Sequence, residues 1–224
     1  MYAINHAATA LILKRRFPGA ALWPLLFAVQ LVELLWVVFN YTGVEHVAYT
    51  RDAVHLDFLP YSHSLATGAG LGLLAWLLLR GGGNRAPLAA AVGLGIVSHV
   101  LLDVVMHEPD IALWPAAGAP RVGLGLYDWP LAALAVETLY GVFCWWYFRG
   151  SGALLAVIVA INLLDLAFML PHPGEGLVFA RHPTLLPTII LAQIVVTWLL
   201  VAWQGSGGHP PRWLPTKSVG REVR

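Results

Sequence analysis

Three polar side chains interrupt the apolar stretch SHVLLDVVMHEP: His99, Asp103 and His107. On a helix, side chains four residues apart stand one turn above each other, with Cβ atoms roughly 5–6 Å apart, so His99 and Asp103 share a face. His107 is rotated from His99 by about 80° at about 100° per residue and is the weaker member of the group. Neutral imidazole and carboxylate on adjacent turns suit a divalent ion of the zinc type. The same two residues also fit a hydrogen-bonded pair that ties helices together. What surrounds them decides between the two.

The elements that must hold these residues are long and apolar. The chain has 224 residues, 58% hydrophobic and 11% charged, with a mean hydropathy of +0.71. A soluble domain carries about 25% charged residues, and several windows here are long enough to cross a bilayer. The expectation is an all-α, polytopic membrane protein with a single transmembrane domain over residues 1–204. Residues 2–13 make a helix of about 18 Å, too short to span, and read as a half-membrane or re-entrant helix. Six longer spans are expected at about 21–41, 60–80, 86–106, 128–148, 151–170 and 184–204, set apart by Gly/Pro breakers such as Gly81-Gly82-Gly83 and Pro171-His172-Pro173-Gly174. The stretch 205–224 is Gly/Pro-rich and basic, and is expected to be a disordered cytoplasmic tail. Met1–Pro18 lacks the order of a signal peptide, because Lys14-Arg15-Arg16 follows its apolar run. The net charge of +1 and the lack of a basic stripe give no support to nucleic-acid binding. Cys144 is the only cysteine, so no intrachain disulfide can form.

Basic residues orient the spans. One side receives Lys14, Arg15, Arg16, Arg80, Arg85, Arg149, Arg212, Lys217, Arg221 and Arg224; the other receives Arg51, Arg121 and Arg181. The first side is therefore expected to be cytoplasmic. At about 1.5 Å per residue, His6, Glu33, His63, His99, Asp103, Glu137 and Asp165 all then fall roughly 4–14 Å below the outer surface, although their segments run in opposite directions. Ionisable groups are costly in lipid and usually face a bundle interior. A shared, outward-facing polar cavity follows. Asp165, one turn from Asn162, reads as packing glue, and His107 as an interfacial residue. His172 and His182 belong to an outer loop. Ser62 and Ser64 read as helix-start residues.

Three motifs carry a resemblance. Asn5-His6-Ala7, Tyr61-Ser62-His63-Ser64-Leu65 and Ser98-His99-Val100-Leu101-Leu102-Asp103 resemble signatures of the bacterial membrane-bound metal-dependent hydrolases, a family held to be remotely related to zinc-dependent phospholipase C. The resemblance covers about residues 1–115. It implies that His6, His63, His99 and Asp103 ligate a divalent metal, most simply zinc. The chain departs from the family's pattern twice: Leu31-Val32-Glu33-Leu34-Leu35 replaces a paired-aspartate element, and Phe58-Leu59-Pro60 replaces His-Arg. The expected function is hydrolysis of an amphiphilic ester or phosphoester at the outer leaflet of the bacterial cytoplasmic (inner) membrane. The partners would be membrane lipids and a lipid-like substrate. Glu33 or Glu137 would be the general base. Metal-ion or proton transport or sensing is the alternative, as is a purely structural membrane protein. No P-loop, Rossmann fingerprint, GxSxG elbow or HExxH is present.

Overall fold

The computed structural model describes residues 1–52, 54–81, 85–116 and 118–205, without the side chains of 55–57. The expected tail beyond residue 205 lies outside the described residues. The chain is an all-α helix bundle. Five helices are long and apolar enough to cross a membrane: α2 (Leu22–Thr42), α5 (Ala86–Met106), α6 (Pro130–Phe148), α7 (Gly152–Met169) and α9 (Leu185–Gly205). Their bounds lie within two residues of the expected segments.

The sixth expected span is different. It is broken into the single turn α3 (Pro60–His63) and α4 (Leu65–Leu79), which has 15 residues and is about 22 Å long. Pro60 opens the turn. Ser64 then adopts an extended conformation and its hydroxyl accepts a hydrogen bond from the Thr67 amide, making it the N-cap of α4. Average hydropathy runs straight across this break because Tyr61, Ser62 and Ser64 lower it only slightly. The break matters, since it aims His63 into the bundle where it is buried.

α1 (Ala3–Arg16) is the axis of the molecule. Ile4, Ala7, Ala8, Ala10 and Leu11 are fully buried, and their core includes Leu25 and Val29 of α2, Cys144 of α6, Ile158 of α7 and Val201 of α9. α1 is buried on nearly every side, its polar Asn5, His6 and Thr9 included, so these 14 residues, too short to span, lie inside the bundle.

Two close contacts fix the elements that carry the site. At Gly72 of α4 a Cβ would lie 2.8 Å from the Gly93 carbonyl oxygen of α5, and the reverse holds at Gly93. Small residues at this crossing let the backbones meet and bring the α3–α4 break beside His99. α2 ends where Gly43 turns into the left-handed region at φ 73°. There the chain leaves for an antiparallel hairpin, β1 (His46–Tyr49) and β2 (Val54–Phe58), an addition to the expected elements. A second small pair joins β3 (Ile111–Ala112) to β4 (Arg121–Val122). The hairpin turn holds the short helix α8 (Glu175–Arg181): Asp52 accepts from the Gly174 amide at 2.7 Å and the Arg51 carbonyl from the Leu177 amide at 3.3 Å.

Candidate metal centre

Four side chains from three elements converge at one end of the bundle: Glu33 from α2, His63 from α3, and His99 and Asp103 from α5. One ligand atom from each lies within 4.8 Å of all the others. His99 Nε2 is 3.3 Å from Glu33 Oε2 and 3.1 Å from Asp103 Oδ2. His63 Nε2 is 3.3 Å from Glu33 Oε2 and 3.8 Å from Asp103 Oδ2. His63, His99 and Asp103 are buried, while Glu33 keeps 19% of its side chain exposed.

The outer ring nitrogens show which face of each imidazole points inward. His99 Nδ1 lies 2.7 Å from the Val29 carbonyl oxygen. A carbonyl only accepts, so Nδ1 carries the proton, and in the neutral ring Nε2 is a lone pair. That lone pair faces two carboxylates. His63 reaches the same state through a longer chain. Glu45, buried in the loop after α2, accepts from the amides of Tyr61 and Ser62 at 2.8 and 2.9 Å and from Ser62 Oγ at 2.6 Å. With its hydrogen committed to Glu45, Ser62 Oγ accepts from His63 Nδ1 at 2.8 Å. Ser62 is thus a link and not a helix cap, whereas Ser64 does cap α4.

Four electron-rich atoms therefore face one another with no donor between them. His99 Nε2 and Asp103 Oδ2 are buried without hydrogen-bond partners among the described residues. Leaving such groups unpaired costs about 1–3 kcal/mol each, more when charged. A proton, on a ring or on a carboxylate, or a metal ion relieves the arrangement. The group could hold a metal.

His6 stands behind this group. Its Nε2 is 3.1 Å from Asp103 Oδ1, the oxygen turned away from His99, and its ring stacks on His99 with centroids 3.8 Å apart. The Met1 amine also binds Asp103 Oδ1. These contacts hold Asp103 in place and leave Oδ2 for the centre. The geometry thus gives His6 a holding position, where the resemblance implied a ligand.

Glu137 occupies the opposite condition. The Tyr2 amide donates to both its oxygens at 3.1 and 3.2 Å, Asn5 Nδ2 donates to Oε2, and the Tyr127 hydroxyl donates to Oε1 at 2.8 Å. Tyr127 sits in a single 3-10 turn (Leu126–Asp128) before α6; burial pushes its hydroxyl well above the usual range, so it remains a donor. Asn5 also bonds Asn162 of α7 at 2.7 Å. Asp165 is tied to Gln193 of α9 at 3.2 Å, consistent with helix-to-helix packing. His107 ends α5 and its Nδ1 lies 3.3 Å from Asp110.

A cavity of about 260 Å³ leads to the centre. Glu33, His63 and His6 lie on its polar side, and Trp36, Phe179, Ile189 and Ile190 on its apolar side, with His107 and Tyr127 also lining it. Every buried histidine and carboxylate of the described residues is at this end. Lys14–Arg16, Arg85 and Arg149 occupy the far ends of α1, α5 and α6. Comparisons of the chain with protein families, curated proteins and solved structures return no match. The site therefore stands on its own geometry.

Proposed function

We propose that this membrane protein is a zinc-dependent hydrolase, with His63, His99 and Asp103 holding the ion, Glu33 beside it as the base, and an amphiphilic ester or phosphoester as substrate. The observation that carries the reading is the donor-free cluster with both imidazole lone pairs turned inward. The distances from the two imidazoles to the two carboxylates, 3.1–3.8 Å, bracket the ~3.3 Å separation of neighbouring positions around a tetrahedral ion with ~2.0 Å bonds. A single proton would pair one imidazole with the carboxylates but would leave the second lone pair facing them.

Bound there, a divalent ion would supply Lewis acidity and would lower the pKa of a water at its open position towards about 7. The chain's own residues do the rest. The Val29 carbonyl and the Glu45–Ser62 link hold the tautomers, and His6 holds Asp103. Glu33 is the carboxylate of the four that also lines the cavity, and it is placed to take a proton from a water there. Glu137, with both oxygens engaged, is not. The clustering of buried ionisable groups at one end supports a site over a path through the membrane.

Metal analysis of the purified protein tests this. The expected result is bound zinc that Asp103→Ala releases, and hydrolysis of a lipid-ester or phosphoester panel that a chelator abolishes. A wild-type protein without metal after zinc loading ends the reading. The membrane would be the bacterial inner membrane with the centre on the outer side, given the basic far end. Single cysteines at the exposed Arg51 and Arg181 should label from outside only. The background is low because Cys144 is buried.

A further inference from the structure

We propose that the cavity accepts the acyl end of an uncharged lipid carboxylic ester, and not a phosphate ester. This rests on the hydrolase reading and narrows its substrate. The first argument is charge. A divalent ion is balanced by Glu33 and Asp103, the two carboxylates of the centre. The remaining lining residues offer no surplus cation: none is Lys or Arg among the described residues, and the one further positive group, the Met1 amine, is offset by the carboxylate of Glu175. Phosphate recognition ordinarily draws on Arg or Lys. A phosphate ester entering here would bring negative charge to a site that has nothing left to meet it, in surroundings where desolvated charge is costly.

The second argument is the hydrogen-bond inventory. Trp36 lines the cavity, is buried, and its indole Nε1 has no partner among the described residues. A neutral N–H without an acceptor suits an uncharged carbonyl oxygen. The third is shape. The wall opposite Glu33 and His63 is built from Phe168 of α7, Phe179 of α8 and Leu186, Ile189 and Ile190 of α9. Ligand pockets run from about 300 to 1,000 Å³, so about 260 Å³ holds the reacting group and the first part of one chain. Phe168 is 48% exposed, and Leu177 and Val178 of α8 are exposed too, so the apolar wall continues outwards and the rest of the chain can stay in lipid.

The reaction is an ordinary ester hydrolysis. The water oxygen bonds the acyl carbon, and the acyl C–O bond breaks with its electron pair going to the alcohol oxygen. One water proton passes by way of Glu33 to that oxygen, and the other stays with the carboxylic acid.

The test uses zinc-loaded full-length protein in detergent with a matched pair, p-nitrophenyl decanoate and p-nitrophenyl decyl phosphate. Release of p-nitrophenol is read against two baselines, His99→Ala and chelator-treated wild type, so that the comparison survives if the variant folds poorly. The ester should be hydrolysed above both baselines and the phosphodiester should not. Binding gives a readout without turnover: 2-dodecanone should raise the melting temperature of zinc-free protein, and decyl phosphate should not. Leu186→Arg, which places a guanidinium at the outer start of α9, should strengthen decyl phosphate binding by about tenfold or more. Phosphodiester hydrolysis that His99→Ala abolishes, or decyl phosphate binding as tight as that of the ketone in wild type, would overturn the proposal and leave the hydrolase reading standing. No hydrolysis of either substrate with zinc bound would remove both.

Discussion

Two glutamates inside the bundle, Glu33 on α2 and Glu137 on α6, have opposite surroundings. Glu137 is saturated: a backbone amide, a side-chain amide and a phenol all point hydrogens at it. Glu33 faces two imidazole nitrogens and the neighbourhood of a second carboxylate. A carboxylate supplied with donors needs nothing more, and it ties α1, α6 and the Tyr127 turn into one body. A carboxylate facing lone pairs is incomplete without a cation. What separates a structural charge from a site is the identity of its neighbours: the fully buried Glu137 is met by donors, and the partly exposed Glu33 is not.

The sharpest way to break this comparison is to remove members of the donor-poor cluster. His99→Ala or Asp103→Ala should lose nearly all bound zinc, because two ligands on adjacent turns act as one rigid chelate. Chelation should lower the melting temperature of wild type, where unpaired lone pairs are left facing each other, and should hardly move that of Asp103→Ala. Measuring both by metal analysis and thermal unfolding in detergent decides it. A wild type that gains no stability on zinc loading would contradict the account of the cluster.

A smaller effect is expected one layer out. Glu45→Gln or Ser62→Ala frees His63 to take the other tautomer, and outer-layer partners of metal ligands are commonly worth about 10–100-fold in affinity. Zinc competition with a chelating dye should show a loss in that range while the fold persists. Unchanged affinity in both variants would mean that the link only packs the loop.

Glu137→Gln is the counter-experiment. It replaces an acceptor of several hydrogen bonds with a group that offers one oxygen, and should cost about 1–3 kcal/mol of stability with zinc content unchanged. Loss of zinc without loss of stability would erase the distinction between the two glutamates.

How far could this have been read from the chain alone? The five long spans were legible because each is a long, predominantly apolar run, and the His99–Asp103 pair because four-residue spacing fixes a shared helix face. The depth argument placed Glu33 and His63 with them. The break at Ser64 was not read, although Pro60 and the Ser64/Thr67 spacing are its local signals, because a hydropathy window weighs composition and ignores caps. Nor could the sequence rank Glu33 against Glu137. The donors that satisfy Glu137 come from residues 2, 5 and 127, and no periodicity links those positions. Glu45 stood among other acidic loop residues, and only the folded loop carries it to Ser62. The short strands of the hairpin, four and five residues long, were lost in a loop of mixed polarity.

The smallest effect is expected at His107, the third polar residue of the stretch that holds His99 and Asp103. Two features take it out of the centre. Helix periodicity turns it by about 80° from His99, and it stands at the C-cap of α5, where the backbone is already extended. Its Nδ1 faces Asp110 at 3.3 Å, and its ring meets Tyr127 edge-on with centroids 5.6 Å apart. His107 lines the cavity but is absent from the four-residue group. His107→Ala should therefore keep wild-type zinc content. Its stability should fall by no more than about 1 kcal/mol, the scale of one partly exposed hydrogen bond. If His107→Ala released zinc as His99→Ala does, the cavity wall would belong to the metal centre, and the line drawn here between donor-poor centre and supporting shell would have to be moved outwards by a full helical turn.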